Sequence, residues 1–145
     1  MTDYVLRAAG FGDLDTRTGY LLWQLRCRVF VVEQECPYLD LDGRDQEPGT
    51  RHLWLEHHGA PVACLRLLDD GDCARVGRVA VAEEHRGRGL ATWLMQGALD
   101  LVGARPCVLD AQTYLTGFYG RLGFTATGPE FLDDGIPHVP MRRDG

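Results

Sequence analysis

The sequence RVAVAEEHRGRGLAT, residues 78–92, is the most informative part of this chain. Val79 and Val81 alternate with smaller residues as in a strand, and Gly87 and Gly89 then form a tight turn. A helical pattern follows at once, with apolar residues at Leu90, Ala91, Leu94, Met95, Ala98, Leu101 and Val102. Because the first N–H groups of a helix lack partners and glycine lets a ligand approach closely, the sequence predicts a phosphate-bearing ligand at this turn.

Three kinds of phosphate turn are compatible with a strand, a glycine turn and a helix. A P-loop requires a lysine that this turn lacks, which excludes it. A dinucleotide fingerprint requires a third glycine where Thr92 stands, although Asp110 lies at about the right distance for that motif and keeps it open. The pattern Arg/Gln-x-x-Gly-x-Gly/Ala matches residues 86–91 fully and resembles the pyrophosphate turn of the GNAT family of acyl-CoA N-acyltransferases.

A second motif, downstream, supports the same resemblance. A short strand at residues 108–112 leads into a helical segment that carries Phe118 and Tyr119 and ends in Leu-Gly-Phe at residues 122–124. Gly123 suits a helix C-terminus, where the left-handed conformation is common. The two motifs stand in the family's order, about thirty residues apart, which is more specific than either motif alone.

Four further segments resemble the ElaA-like branch of the family. They are residues 28–34, 40–45, 50–53 and 134–141, and with the two motifs they extend the resemblance from about residue 20 to residue 143. Pro140 departs from the polar or acidic residue expected there. The resemblance identifies the acyl donor but not the acceptor.

Composition indicates one ordinary enzyme domain over residues 1–145. The chain is 45% hydrophobic, which suffices for one core, and no apolar run approaches the roughly eighteen residues of a membrane span. Its N-terminus lacks the features of a signal peptide, and its five cysteines show no Cys-x-x-Cys pair, so we expect reduced thiols, no metal and a cytoplasmic location. A net charge of −6 argues against nucleic-acid binding.

A coarse assignment gives a mixed α/β sheet, which matches the fold that the resemblance implies. We expect six or seven mostly antiparallel strands flanked by about four helices. Predicted strands are 4–9, 51–57, 61–68, 79–82, 107–111, 124–127 and 138–142, and predicted helices are 18–29, 90–102 and 113–122. The irregular stretch 34–49 is long enough to be either functional or mobile, and we expect it to contribute to acceptor specificity.

The resemblance implies a donor site for acetyl-CoA. Main-chain groups of the strand before the turn would hold the pantetheine and the acetyl carbonyl, with the N–H of Val81 as the oxyanion donor. The implied donor-binding residues are Val79, Ala80, Val81, Arg86, Gly87, Arg88, Gly89, Leu90, Ala91, Thr92, Gln112, Phe118 and Tyr119.

The catalytic groups are predicted from what acyl transfer to an amine requires. Tyr119 is the general acid, because a phenol with a pKa near 10 is protonated at neutral pH. Glu33 is the predicted partner on the acceptor side, and the identity of the base stays open among Glu33, His52, Asp110 and His138. No cysteine near the motifs has a histidine partner in the sequence, which favours direct transfer over an acyl-cysteine route.

The sequence therefore predicts an acetyl-CoA-dependent N-acetyltransferase that acts on a primary amine of a small molecule or peptide. A homodimer is a further expectation from the resemblance. The alternatives are a non-catalytic acyl-CoA-binding module and a nucleotide-binding protein that uses the same turn.

Overall fold

The structure, a computed structural model, describes residues 3–145. Its strands are β1 (Tyr4–Ala9), β2 (Arg51–His57), β3 (Ala60–Asp69), β4 (Ala74–Val81), β5 (Cys107–Gln112), β6 (Thr125–Ala126), β7 (Phe131–Asp133) and β8 (Ile136–Arg143). Its α-helices are α1 (Thr16–Arg26), α2 (Leu90–Val102) and α3 (Thr116–Gly120). Short 3₁₀ turns occupy Phe11–Asp13, Arg44–Gln46, Glu83–His85 and Thr113–Leu115.

All eight strands form one sheet. Its order is β1-β2-β3-β4-β5-β8-β6, and β7 pairs with the first three residues of β8. Every neighbouring pair is antiparallel except β4 and β5, which are parallel because α2 forms the crossover between them. The predicted fold class is confirmed, with one strand more than the six or seven expected.

The extra strand is β7, in the segment that the sequence left unassigned. All three of its residues are exposed, so it shows no alternation of buried and exposed side chains that a sequence pattern could reveal. It forms a hairpin with β8 through a turn at Asp134 and Gly135, both of which have positive φ.

The first helix is longer than predicted and changes its type. Asp15 caps its start by accepting a hydrogen bond from the Thr18 N–H at 2.7 Å. After Arg26 the chain continues as a π-helical segment, Cys27–Glu33, instead of ending at residue 29. Such segments are frequent at functional sites, and this one brings Phe30 and Glu33 to the central gap of the sheet described below.

The core lies between the sheet and its two long helices. Leu22 and Leu25 of α1 and Leu94 and Met95 of α2 are almost fully buried, and both helices pack on β3 and β4. Ala98 lies one helical turn after Leu94 and is also buried, so most of the apolar positions predicted for this helix face the sheet, whereas Leu101 is exposed. Among residues 3–145 no helix has the length and apolar character needed to cross a bilayer.

A bulge in β4 bends the strand at the centre of the sheet. Between the pairs Cys64↔Ala80 and Arg66↔Gly77, β4 holds one residue more than β3, and Arg78 within that interval has φ +53°. Bulges bend the strand that contains them and increase its twist. The second half of β4 therefore diverges from β5.

Candidate active site

A gap separates β4 from β5 beyond the first residues of each. The two strands pair only through Ala74↔Cys107 and Arg75↔Val108, after which β4 pairs with β3 alone and β5 with β8 alone. The N–H of Ala82 donates to Val62 on the β3 side at 2.8 Å. Because successive residues of a strand direct their main-chain groups to opposite sides, the N–H of Val81 faces the gap.

The glycine turn lies at one end of this gap. Gly87 and Gly89 have φ of +78° and +75°, and a Cβ added at either would enter open space. Gly89 is the N-cap of α2, so no capping side chain covers the free N–H groups of the first helical turn. The turn therefore presents bare main chain and the positive end of a 13-residue helix, as an anion site requires.

The two arginines of the turn make different contacts. Arg86 donates to the Val81 carbonyl at 3.0 Å through Nε and to the Glu33 carboxylate at 2.6 Å through Nη2. Arg88 donates to the Tyr4 hydroxyl at 3.0 Å. Arg86 thus ties the π-helical segment to the turn, whereas Arg88 ties the turn to the first strand.

The larger of two cavities, about 500 Å³, fills the turn side of the gap. It brings together twelve of the thirteen predicted donor-binding residues, all except Arg88. Its lining is Val29, Phe30, Glu33, Gln34, Val79, Ala80, Val81, His85, Arg86, Gly87, Gly89, Leu90, Ala91, Thr92, Gln112, Tyr114, Leu115, Phe118 and Tyr119. Two strands, the glycine turn and helical segments from three parts of the sequence therefore converge on one space.

The smaller cavity, about 210 Å³, lies on the other side of the same gap. Six residues line both cavities: Phe30, Gln34, Val79, Gln112, Leu115 and Tyr119. Polar side chains dominate the rest of the smaller cavity, namely Tyr38, Arg66, Arg75, Arg78, Asp110, Asp133, Asp134 and His138. The two cavities are adjoining, and Tyr119 is the ionisable side chain in their shared wall.

Tyr119 is held firmly at this junction. Its side chain is buried, and its ring packs edge-on against Phe118 and Phe124 with centroids 5.0 and 6.1 Å away. Burial, with a smaller contribution from Tyr114, raises the pKa of Tyr119 to about 12. The phenol is therefore protonated throughout the neutral range and can serve as a proton donor.

Two of the four candidate bases lie away from the smaller cavity. Glu33 lines the larger cavity, where its carboxylate is bound to Arg86. His52 is buried in the sheet and lines neither cavity, and its Nε2 lies 3.1 Å from the Asp45 carbonyl. Burial lowers the pKa of His52, which keeps the imidazole neutral.

The other two candidates, Asp110 and His138, line the smaller cavity. The Nδ1 of His138 lies 2.7 Å from the Ile136 carbonyl. Because a carbonyl oxygen can only accept, Nδ1 carries a proton and Nε2 of the neutral ring holds the lone pair. Asp110 lies on β5, 3.7 Å from Arg75, and its side chain is partly exposed.

The stretch 34–49 forms part of this side of the site, and ion pairs fix it in place. Arg26 of α1 bonds to Asp40 at 3.0 Å and to Asp45 at 2.7 Å, and all three side chains are nearly inaccessible. Arg66 pairs with Asp42 at 2.7 Å, and Arg78 pairs with Asp40 at 2.8 Å. The interaction with Arg66 holds the pKa of Asp42 well below its usual range.

Two of these arginines, Arg66 and Arg78, are cavity-lining residues that the sequence analysis missed, whereas Arg26 lines neither cavity. Arg66 and Arg78 line the smaller cavity with their charges matched by aspartates of the 34–49 stretch. The three closely spaced aspartates of that stretch, Asp40, Asp42 and Asp45, indicated that cationic partners were needed. Nothing in the sequence identified those partners. The stretch that we expected to be functional or mobile is held against α1, β3 and β4.

The three buried cysteines carry no activated thiol. Cys64 and Cys107 are buried, and burial raises their pKa values to about 12 and about 11. Cys36 lines the smaller cavity, where its Sγ donates to the Asp134 carbonyl at 3.3 Å. Burial and two neighbouring carboxylates raise the pKa of Cys36, so this thiol also stays protonated.

Comparison with known proteins gives this geometry its context. A family model described as "Acetyltransferase (GNAT) domain" matches residues 26–144. UPF0039 protein Rv2851c from Mycobacterium tuberculosis is 50% identical over 145 residues, covering 97% of this chain and 93% of the relative. The crystal structure of an acyl-CoA N-acyltransferase from Pseudomonas aeruginosa superposes with a TM-score of 0.91 at 41% identity, covering 97% of this chain and 99% of the other.

The structure of ElaA from Escherichia coli superposes equally well. Its TM-score is 0.92 at 36% identity, again with 97% of this chain and 99% of the other covered. The fold and the site define an acyltransferase of the kind that combines an acyl-CoA with an acceptor. The chain belongs to the GNAT family of acetyltransferases, and within it to the ElaA-like branch.

Proposed function

We propose that this protein transfers an acetyl group from acetyl-CoA directly to a primary amine of a small molecule or peptide. One observation carries the proposal. The gap between β4 and β5 holds two adjoining cavities, one at the anion-binding turn and one lined by charged side chains, and Tyr119 lies between them. A donor and an acceptor that entered from opposite sides would meet at this tyrosine.

The larger cavity fits an acyl-CoA. The open space over Gly87 and Gly89 and the N-terminus of α2 suit a pyrophosphate. The main-chain groups of Val79 and Val81 suit the amide groups of pantetheine, because β5 does not pair with this part of β4. When bound, the thioester supplies an activated acyl carbonyl and a thiolate leaving group.

Tyr119 and Val81 act on the two charges that the reaction develops. The Val81 N–H faces the gap and stabilises negative charge on the carbonyl oxygen. Tyr119 donates its phenolic proton to the departing sulfur, since it remains protonated at neutral pH. Gln112, which lines both cavities, has an amide that can bond to pantetheine.

His138 is the base that the geometry favours. The Ile136 carbonyl fixes its tautomer, so that Nε2 can accept a proton from the amine, directly or through a water. Asp110, Asp133 and Asp134 line the same cavity and would attract a cationic acceptor. Glu33 stays a predicted catalytic residue, although its salt bridge with Arg86 favours a role in holding the turn.

One observation supports direct transfer, and the proposed role of Tyr119 agrees with it. Cys36, the cysteine that lines the smaller cavity, has a raised pKa and donates to a carbonyl, so it is a poor nucleophile. Tyr119 already supplies the acid that the leaving thiolate needs. Acetyl as the acyl group and a homodimer remain predictions from the resemblance to the family, and a cytoplasmic location remains a prediction from the cysteine pattern and the N-terminal sequence.

A screen of amine acceptors tests the proposal. Purified protein is mixed with acetyl-CoA and a panel of monoamines, diamines, amino acids and peptides, and free thiol release is followed while mass spectrometry looks for the acetylated amine. We expect release above the hydrolysis rate with a subset of amines, and loss of that release in His138→Gln. Binding of CoA without turnover across the panel would instead support a non-catalytic acyl-CoA-binding module.

A further inference from the structure

Three of the five histidines of this chain cluster beside the phosphate turn. The register of β1 and β2 places Tyr4 directly opposite His57, and His58 follows in the hairpin between β2 and β3. His85 reaches the same place from the 3₁₀ turn that precedes Arg86. Nothing in the proposed reaction uses His57 or His58, and no local sequence pattern indicates that these rings meet His85.

The rings are in direct contact. The centroid of His57 lies 4.0 Å from that of His58, 4.9 Å from that of His85 and 5.0 Å from that of Tyr4. The Nδ1 of His57 is buried and makes no hydrogen bond within residues 3–145. A buried ring nitrogen without a partner is unfavourable, so this imidazole has coordinating capacity that the protein itself does not satisfy.

Contrary to the expectation of no metal from the sequence, we propose that Asp3, His57 and His58 bind a divalent first-row transition-metal ion. One ligand atom from each of the three lies within 4.8 Å of the others. Ligands of one tetrahedral Zn²⁺ stand roughly 3.3 Å apart for bonds of about 2.0–2.1 Å, so small side-chain rotations would close the site. Two imidazoles and a carboxylate form a nitrogen and oxygen donor set typical of these ions, with water completing the shell.

The hairpin fixes part of this donor set in advance. His58 and Gly59 both have positive φ, at +52° and +80°, as in the two-residue turns that match the twist of a hairpin. The position of His58 relative to His57 is therefore set by the strand pairing of β2 and β3 instead of by a free loop. Asp3 is added by the segment immediately before β1.

The metal site would adjoin the donor site through hydrogen bonds. Arg88 can only donate, so the Tyr4 oxygen accepts from it at 3.0 Å, and the Tyr4 proton is free to be donated to His85 Nδ1 at 2.9 Å. His85 lines the larger cavity. A dication bound to His57 would be separated from the larger cavity by the ring of His85 and would add positive charge near the turn. We therefore expect CoA to bind more tightly with metal present, a consequence that rests on the proposed function.

Direct metal titration tests the site on tag-free protein that has been freed of metal with a chelator. Co²⁺ is added while the visible spectrum is recorded, and Zn²⁺ is then added to displace it. We expect one ion per chain, with a spectrum of nitrogen and oxygen ligands and no thiolate-to-cobalt band. His58→Asn and Asp3→Asn should each weaken binding at least about tenfold, because even residues behind the ligands contribute about 10–100-fold.

The variants are chosen so that loss of folding cannot explain the result. Asparagine suits the left-handed position of residue 58, and Asp3 is exposed. His138→Gln, which removes a histidine outside the cluster, should bind Co²⁺ as the parent protein does. Unchanged affinity in both variants, or a thiolate band from cysteine ligation, would overturn the site.

The titration is independent of the proposed function. CoA affinity of the metal-free protein reports the donor site alone, and Co²⁺ binding without CoA reports the metal site alone. The link between them is measured as the CoA dissociation constant with and without Zn²⁺, in the parent protein and in His58→Asn. An equal constant in all four measurements, with Zn²⁺ bound to the parent, would overturn the link to the donor turn.

Discussion

The two cavities of the central gap differ in what forms their walls. Around the larger cavity the chemistry is carried by main chain, through the free edge of β4, two glycines and the start of α2. Around the smaller cavity it is carried by charged side chains, including two arginines that pair with aspartates 24 and 38 positions away in the sequence. The first wall suits a cofactor-like group common to a whole family, and the second can vary with the acceptor.

The difference also concerns stability. The turn at the larger cavity is made by exposed residues, so changes there should alter binding more than folding. The smaller cavity depends on a buried network in which Arg26 satisfies two aspartates at once. Removing one member of such a network leaves a charge buried without its partner.

Arg26→Met should therefore give the largest effect on folding. Removing one partner of a buried ion pair costs about 3–5 kcal/mol, and here Asp40 and Asp45 would both lose it. Urea unfolding at pH 7 measures the change. The matched control is Arg7→Met, because the pair of Arg7 with Glu56 is exposed and weak and its loss should stay within about 0.5 kcal/mol.

The same variant tests the division between the cavities. In the folded fraction of Arg26→Met, CoA affinity should be close to that of the parent, because none of the residues of the network lines the turn. A change in stability below about 1 kcal/mol, or a loss of CoA binding in protein that is still folded, would mean that the two sides are not separate in this way.

Tyr119→Phe should have the largest effect on catalysis. General acid catalysis contributes about 10²–10⁴-fold, so kcat should fall by at least about 10²-fold while CoA affinity and the unfolding midpoint change little. Because the pKa of Tyr119 is about 12 and the acid is lost only as pH rises through that value, the parent should keep this contribution up to pH 10. Tyr20→Phe, on the exposed surface of α1, is the control.

A parent-like rate in Tyr119→Phe would remove this residue from the mechanism. A fall in kcat that is matched by an equal fall in stability would assign it to packing instead, because the ring contacts Phe118 and Phe124.

Gly89→Ala should have a smaller effect that is specific to the donor. A Cβ at φ +75° is strained by about 1–2 kcal/mol and would enter the space where a phosphate approaches the chain. CoA binding should weaken at least about tenfold, or about 1.4 kcal/mol, by calorimetry. Gly103→Ala introduces backbone strain at the other end of α2, at φ +65° and ψ −130°, and should leave CoA affinity unchanged even if it destabilises the fold more. Equal affinity in the two variants would show that the turn does not bind the donor.

The contrast between the cavities explains what the sequence could predict. The strand, turn and helix of residues 78–92 are contiguous, and their chemistry depends on glycine and main chain, so a local pattern reveals them. Tyr119 follows from a second local pattern. The structure confirms the fold class that these motifs imply, and twelve of the thirteen predicted donor residues line one cavity.

What the sequence could not predict depends on distant partners. Arg26 meets Asp45 only because α1, the 34–49 stretch and the sheet pack together. The histidine cluster needs the β1–β2 register, which local patterns do not define. The π-helical segment after α1 contains a continuous apolar run, residues 29–32, without the spacing of an amphipathic helix, so the end of that helix was placed too early.

Isothermal titration calorimetry can establish whether the gap between β4 and β5 holds an acyl-CoA. The metal-free protein is titrated with acetyl-CoA, CoA, ATP and NAD under the same conditions. We expect one site per chain for acetyl-CoA and CoA and no saturable heat with ATP or NAD. No binding of acetyl-CoA, or saturable binding of NAD in its place, would contradict the assignment of the turn and with it the proposed reaction.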